Sequence, residues 1–299
     1  MSREWETTFT NWARGPSATE QERAENAERQ IRDAISSSEK LKARNISVFT
    51  QGSYRNRVNV RKSSDVDIGV LCFDTYFPYY PDDNVKASVD RYAEPATYTY
   101  LTFKNELEAA LVSKFGRSAV ARGNKAFDIK ANTYRVDADV AAFFEHRRYA
   151  TDSSYDSGVE MIPDNSSPKL VRNWPEQHYA QGVYKNSQTS KKYKRTVRIL
   201  KTLANEMEAV GIESAKKSPS FLIECLVFNT PNASFNYLSY EATVRGVLVH
   251  LFNNTLSDEK CASWTEVSEL KYLFRNSQPW TRADAHKFVS DAWDYIGYE

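Results

Sequence analysis

The hydrophobic pattern changes along the chain, and this change constrains the fold more than any other feature. Up to about residue 165, helical and strand-like segments follow one another in the order helix, strand, strand, helix and further strands. From about Pro168 onward, almost every segment has helical periodicity. This order predicts an α+β protein, with a mixed sheet and its helices in residues 1–165 and an all-helical domain in residues 166–299.

Several helices are expected at definite places. Residues 17 to about 44 have apolar residues at helical spacing, with Ser17 or Thr19 as the N-cap, and this helix could pack against either half. Apolar residues recur every four positions from Phe103 to Phe115, which predicts a second helix. In the C-terminal half, helices are predicted over 170–184, over 188–210, from Ser220, over 237–256, over 264–274 and over 281–297. Residues 74–97 show no clear period and predict a loop or insert.

Composition narrows the possible partners and the compartment. The 299 residues carry 40 basic and 39 acidic side chains, a formal net charge of +1, which argues against long nucleic acid or an anionic membrane as the main partner. The three cysteines are widely spaced, which fits a reducing compartment, and we expect the protein in the cytoplasm. No segment is apolar enough to predict a membrane span or an export signal.

Two pairs of aspartates lie in strand-like segments. Asp65 and Asp67 in DVDIGV are two residues apart, so in a strand both side chains leave one face while Val66 and Ile68 occupy the other. Asp137 and Asp139 repeat this arrangement in VDADVAAFF. One such pair is compatible with a solvated strand end. Two pairs on neighbouring strands would favour hard divalent cations, because clustered carboxylates repel one another without them.

A Gly-Ser dipeptide precedes the first aspartate pair. Gly52 and Ser53 follow the short strand-like segment NISVFTQ, and Asp65 comes twelve residues after Ser53. Gly52 and Ser53 offer backbone N–H groups with no side chain at Gly52 in the way, and Ser53 adds a hydroxyl, which suits a phosphate group. A plain turn would also contain these residues, so the specificity comes from their combination with the aspartates.

The combined pattern resembles the polymerase beta-like nucleotidyltransferase superfamily. The segments QGSYRNRVNVRKSSDVDIGV, ANTYRVDADVAAFFEHRRY, KKYKRTVRILKTLANEM and PSFLIECL are similar, in this order, to the CD-NTases of bacteria, which are relatives of cyclic GMP-AMP synthase and oligoadenylate synthase. The resemblance implies a nucleotidyltransferase domain followed by a helical domain like that of oligoadenylate synthase. Many relatives have a proline after the segment with the third carboxylate, where this chain has AAFFEH instead.

The resemblance also implies a metal site. In this family pattern Asp65, Asp67 and Asp139 hold two Mg²⁺ ions, for which Mn²⁺ could substitute, and Asp137 is the reserve candidate for the third ligand. The ions would activate an acceptor hydroxyl and stabilise the leaving pyrophosphate.

Further nucleotide-binding residues are implied in the helical half. The predicted helix 188–210 has an apolar face and a basic face, and the basic face would be either a solvated surface or a phosphate-binding surface. By resemblance, Lys201 contacts the triphosphate with Arg198 one turn earlier, Ser220 opens the next helix and contacts the triphosphate, and Phe221 stacks on the donor base. Without the resemblance, Ser220 would be an N-cap and Phe221 a core residue.

The function that follows is condensation of nucleoside triphosphates into a cyclic oligonucleotide, most simply a cyclic dinucleotide, with release of pyrophosphate. By resemblance this belongs to anti-phage (CBASS) signalling, and a separate effector protein would sense the product. Two alternatives remain: nucleotidyl transfer to RNA or protein, and a non-catalytic sensor of nucleotides or RNA. The chain has all three aspartates of the family's metal-binding pattern, Asp65, Asp67 and Asp139, which disfavours the sensor.

Overall fold

The computed structural model describes residues 3–60, 66–130, 137–275 and 278–299. The chain divides into two compact units. The sheet unit comprises Ser17–Arg55 and Ser64–Pro175, and the helical unit comprises Met1–Pro16, Asn56–Ser63 and Glu176–Glu299. The helical unit therefore takes its parts from three separate stretches of sequence.

The sheet unit contains a seven-stranded mixed sheet in the order β1-β2-β5-β4-β3, with β6 paired to β5 and β7 to β6. Only β2 and β5 pair in parallel; the other neighbours are antiparallel. The strands are β1 Ile46–Thr50, β2 Val66–Tyr79, β3 Val120–Arg122, β4 Phe127–Ile129, β5 Ala138–Tyr149, β6 Tyr155–Met161 and β7 Val171–Asn173.

Helices pack on this sheet. They are α2 Ala18–Ser36 and α5 Tyr100–Phe115. The short α3 Gly52–Asn56 follows β1, and α4 Asp83–Asp90 follows β2. The start of α2 is fixed by a capping box, in which the Ser17 hydroxyl accepts from the Glu20 N–H and the Glu20 carboxylate accepts from the Ser17 N–H. The apolar faces of α2 and α5 and the buried residues of β2 and β5 form one core.

One glycine in β2 allows close packing against β1. Gly69 lies opposite Phe49 in the β1–β2 register. A Cβ atom at Gly69 would be 2.4 Å from Cζ of Phe49, so the phenyl ring occupies the space that any other residue would need. The ring thus covers β2 two residues beyond Asp67.

The helical unit is built around α7. Its helices are α1 Trp5–Trp12, α6 Pro175–Gln188, α7 Lys192–Ala209, α8 Glu213–Lys216, α9 Ser220–Phe228, α10 Tyr240–Asn254 and α11 Arg282–Ile296. Tyr193, Val197 and Leu200 of α7 are fully buried in a second core. Three residues of its basic face, Lys194, Arg198 and Lys201, are also buried, so the solvated-surface interpretation is wrong for them.

The structure confirms the predicted fold class and corrects three local predictions. Residues 74–97 are not one loop, because β2 continues to Tyr79 along β5 and α4 follows. Residues 264–274 are not helical: Thr265 and Tyr272 form a β-bridge, and Glu269 has the left-handed φ of 61° that turns the chain between them. Residues 171–173, which lie in a segment predicted to be helical, form the edge strand β7.

No helix in the described part of the chain is long and apolar enough to cross a membrane. The three cysteines are buried and unpaired with one another.

Candidate active site

Two of the predicted aspartates lie side by side at the start of β2 and β5. The parallel register pairs Asp67 with Asp139, between the pairs Val66–Ala138 and Ile68–Val140. Side chains alternate along a strand, and the flanking residues of both strands are buried, so the two aspartates share the other face. The pairing of two distant segments therefore brings two carboxylates together, as the sequence predicted for neighbouring strands.

The Gly-Ser turn lies directly against Asp67. A Cβ atom at Gly52 would be only 2.1 Å from Oδ2 of Asp67, and Gly52 has a left-handed φ of 62°. The N–H of Gln51 donates to the carbonyl oxygen of Asp67 at 2.8 Å, which ties the turn to β2. Only glycine meets both requirements at this position. The first helical turn of α3, with Ser53, thus begins beside the carboxylate.

A third aspartate, Asp128, belongs to the same row and was missed by the sequence analysis. The antiparallel register of β4 and β5 places Asp128 opposite Asp139. Residues directly opposite in such a pair have Cβ atoms about 4.5–5.5 Å apart, and like charges there destabilise the sheet. The alternation of apolar and polar residues in FDIK could have predicted a strand with Asp128 on its polar face. In the structure Phe127 and Ile129 are buried and Asp128 is exposed.

Asp65 lies outside the described residues. Asp137 precedes β5, is exposed, and its carbonyl oxygen accepts from the N–H of Val66 at 2.9 Å. Within the residues that the structure describes, no three ligand side chains are close enough to form a metal site. The donor type nevertheless fits a hard divalent cation, because adjacent carboxylates on Asp67 and Asp139 repel each other and supply the oxygen ligands such ions prefer.

In the helical unit, Lys201 belongs to a buried cluster of charges. Its Nζ lies 3.4 Å from Oε2 of Glu224, and the other carboxylate oxygen, Oε1, is 2.9 Å from Nε2 of His178. Burial alone would raise the pKa of Glu224, but the charges of Lys201 and His178 lower it to about 2. Glu224 therefore stays ionised and holds Lys201. The sequence analysis missed this role of Glu224. A single acidic residue inside the apolar run FLIECLVF could have indicated a buried ion pair.

We expect Glu224→Gln to lower the free energy of unfolding at pH 7 by about 3–5 kcal/mol, because a neutral amide leaves the buried Lys201 without its counter-charge. The folded pKa of Glu224 lies below the unfolded value, so its stabilisation is present above about pH 4.3 and is lost as pH falls towards 2. Urea titrations at several pH values measure both effects. The exposed Glu208→Gln on α7 is the control, and equal stability of the two variants would contradict the prediction.

The remaining predicted residues also lie in the helical unit. The Arg198 guanidinium donates to the carbonyl oxygens of Ala13 and Arg57, the latter at 2.6 Å. Ser220 is the first residue of α9, one helical turn before Glu224, and is exposed. Phe221 is partly buried, with its ring centroid 5.7 Å from that of His178 and 5.9 Å from that of Trp280.

Known proteins share this architecture and sequence. Residues 180–297 match the family model of the C-terminal helical domain of cGAS/DncV-like nucleotidyltransferases. Over 302 residues, covering 99% of both chains, the protein is 43% identical to a cyclic dipyrimidine nucleotide synthase, CdnE, of Legionella pneumophila. The chain belongs to the CD-NTase family. It is thus a nucleotidyltransferase that joins nucleotides into a cyclic product.

Two other relatives show how widely the products of similar CD-NTases vary. A cyclic dipurine nucleotide synthase of Elizabethkingia meningoseptica is 38% identical over 301 residues, covering 98% of this chain and 99% of the relative. The structure of a Rhodothermus marinus c-UMP-AMP synthase with Apcpp and Upnpp superposes with a TM-score of 0.85, at 26% identity and 98% coverage of both chains. Overall similarity therefore establishes the reaction class of this CD-NTase but does not by itself specify which nucleotides it joins.

Proposed function

We propose that this CD-NTase condenses two nucleoside triphosphates into a cyclic dinucleotide, with pyrimidine nucleotides as substrates, and releases pyrophosphate. The observation that carries the reaction class is the alignment of Asp67 with Asp139 in neighbouring parallel strands, with Gly52 against Asp67. The pyrimidine assignment is supported by the two cyclic dipyrimidine nucleotide synthases to which the chain is 43% and 38% identical. This arrangement offers adjacent carboxylates beside a glycine turn. It suits transfer of a nucleotidyl group, in which charge on the phosphates must be neutralised and no side-chain nucleophile is needed.

We propose that Asp65, Asp67 and Asp139 hold two Mg²⁺ ions, with Mn²⁺ able to replace them. The ions would supply charge neutralisation at the triphosphate and a lower pKa for the acceptor hydroxyl. The protein contributes rigid placement, because Val66 and Ile68 anchor β2 in the core on the face opposite Asp67. The position of Asp139 level with Asp67 supports Asp139 over Asp137 as the third ligand.

We propose that Gly52, Ser53, Lys201 and Ser220 bind the triphosphate. The turn at Gly52 and Ser53 presents main-chain N–H groups with no side chain at Gly52 in the way, and Ser53 adds a hydroxyl. Glu224 positions Lys201 by holding its ammonium group, which limits the rotamers that Lys201 can adopt. The roles of Arg198 at the triphosphate and Phe221 at the donor base remain predictions from the family resemblance.

The base preference can be measured directly. We expect radiolabel from UTP or CTP, and not from ATP or GTP alone, to appear in products that resist alkaline phosphatase, because a cyclic product has no terminal phosphate. The protein is incubated with Mg²⁺ and each α-³²P-labelled triphosphate in all pairwise mixtures, and products are separated by thin-layer chromatography and identified by mass spectrometry.

The outcomes of this assay separate the alternatives. Label from ATP and GTP alone would contradict the pyrimidine assignment and leave the reaction class intact. Phosphatase-sensitive products, or label transferred to added RNA or protein, would indicate linear transfer. Nucleotide binding without any product under all conditions would favour a sensor.

We further propose the biological setting that the resemblance implies. The cyclic product would be sensed by a separate effector protein in anti-phage (CBASS) signalling, and the enzyme would act in the cytoplasm, where nucleoside triphosphates are available. The unpaired cysteines fit this reducing compartment.

A further inference from the structure

A cavity of about 330 Å³ lies within the helical unit. This volume is at the lower end of the range of about 300–1,000 Å³ that is common for small-molecule sites. Its wall comes from the end of α1 and the residues after it, from α7 and from the first residue of α10. The lining residues are Thr10, Ala13, Arg14, Gly15, Arg195, Arg198 and Tyr240.

Three of the lining residues are arginines. Arg198 is 8% exposed and donates to the carbonyl oxygens of Ala13 and Arg57, which fix its guanidinium in place. Arg195 is exposed, and its Nη1 donates to the Tyr240 hydroxyl at 3.1 Å. Arg14 is exposed at the end of the N-terminal segment. The cavity therefore combines one immobilised guanidinium with two that water can reach.

The positive charge of this cavity has no compensating carboxylate in its wall. Among the seven lining residues, all in the described part of the chain, none is acidic. Burial and the neighbouring charge of Arg195 lower the pKa of Arg198 to about 10. Glu6 contacts the main chain nearby, but its two oxygens accept from the N–H groups of Tyr240 and Glu241 at 3.0 and 2.7 Å. Guanidinium groups held together in this way repel each other, and a bound anion would offset that repulsion.

The cavity also has open space beside the arginines. A Cβ atom at Gly15 would meet no atom within 4 Å, and the backbone at Gly15 is not in the left-handed region. A larger side chain could therefore occupy this space without strain in the backbone. This provides a way to close the cavity while leaving every charge in place.

We propose that this cavity binds the phosphate group of a small metabolite through Arg14, Arg195 and Arg198. Arginine presents a planar set of donors that matches phosphate oxygens. A phosphate monoester has three terminal oxygens, so it can accept from three guanidiniums at once, whereas a carboxylate has only two oxygens. Tyr240 and Thr10 supply a further hydroxyl each. The proposal assigns Arg198 to this cavity in place of the triphosphate role that the family resemblance implies for it, while Lys201 and Ser220 of the proposed triphosphate site do not line the cavity.

The test is calorimetric titration of the protein with inorganic phosphate, in EDTA at constant ionic strength. We expect one binding site in the unaltered protein. Arg195→Gln removes a charge-assisted donor and is expected to weaken binding at least about tenfold. Gly15→Phe fills the cavity without changing its charge and should abolish binding. Arg23→Gln on α2, an exposed arginine of the sheet unit, is the control and should bind as the unaltered protein does.

Two further measurements make the assignment specific. Lys201→Met should bind phosphate with unchanged affinity; loss of binding there would place the phosphate at the proposed triphosphate site and overturn the proposal. Malonate should bind more weakly than phosphate, and tighter binding of malonate would contradict a phosphate ligand. Absence of any phosphate binding, or equal affinity in Gly15→Phe, would also overturn it. Circular dichroism establishes that each variant is folded.

Discussion

Replacing Asp67 with asparagine is expected to abolish synthesis of the cyclic product. Asparagine has the same shape and can keep the main-chain contacts of β2, including the bond from the Gln51 N–H to the residue 67 carbonyl. It loses the negative charge that sits level with Asp139. If Asp67 is a metal ligand, several kcal/mol of transition-state stabilisation are lost, which corresponds to a rate reduction of at least about 10³-fold.

The rate of product formation from labelled triphosphates measures this effect, and thermal unfolding shows whether the fold is intact. Asp156→Asn, in β6 of the same sheet, is the matched control and should retain activity. If Asp67→Asn kept activity within about tenfold of the unaltered enzyme, Asp67 would not be a metal ligand. Loss of activity in both variants would point to damage of the sheet.

Replacing Gly52 with alanine is expected to reduce the rate by at least about 10²-fold, because displacement of reacting groups by about 1 Å has effects of that size. The new Cβ would come within 2.1 Å of Oδ2 of Asp67, so the carboxylate or the turn must move. The left-handed φ of 62° adds a backbone cost of about 1 kcal/mol. The variant should therefore lose activity far more than stability.

Gly297→Ala separates the two causes. Gly297, at the end of α11, is also left-handed, with φ 81° and ψ 34°, but a Cβ atom there would meet nothing within 4 Å. It should show a loss of stability of about 1 kcal/mol in urea titrations and unchanged synthesis. If Gly52→Ala retained full activity while Gly297→Ala behaved as expected, contact between the turn and Asp67 would be unimportant for the reaction.

Local signals in the sequence were sufficient for the elements that depend on near neighbours. The N-cap, predicted at Ser17 or Thr19, and the alternation around Asp67 depend on residues at most a few positions apart; the structure places the N-cap at Ser17 and confirms the strand. The prediction of neighbouring strands for Asp67 and Asp139 rested on a repeated pattern and on family resemblance. Their register could not be read from the sequence, because it depends on pairing between distant segments.

Two features of the helical unit could not be read from local sequence patterns for the same reason. For the basic face of α7 the sequence left a solvated surface open as one of two interpretations, but Lys201 is buried against Glu224 and Arg198 against main-chain carbonyls of Ala13 and Arg57. The apolar residues of 264–274 have helical spacing, but the segment instead forms a turn at Glu269 and a β-bridge between Thr265 and Tyr272. In both segments the structure depends on contacts with residues outside the local pattern, which override the local helical or amphipathic pattern.

The three-part composition of the helical unit has a consequence for how the protein is made. Helix α1 is synthesised before α7, α10 and α11, but its aromatic residues Trp5 and Phe9 pack into the core that those helices form, and the Trp5 ring lies 6.3 Å from that of Tyr295. The strands of the sheet unit lie between them in the sequence and can pair earlier. The apolar face of α1 therefore lacks its packing partners until α11 has been synthesised, and such exposed apolar surface favours binding of chaperones during translation.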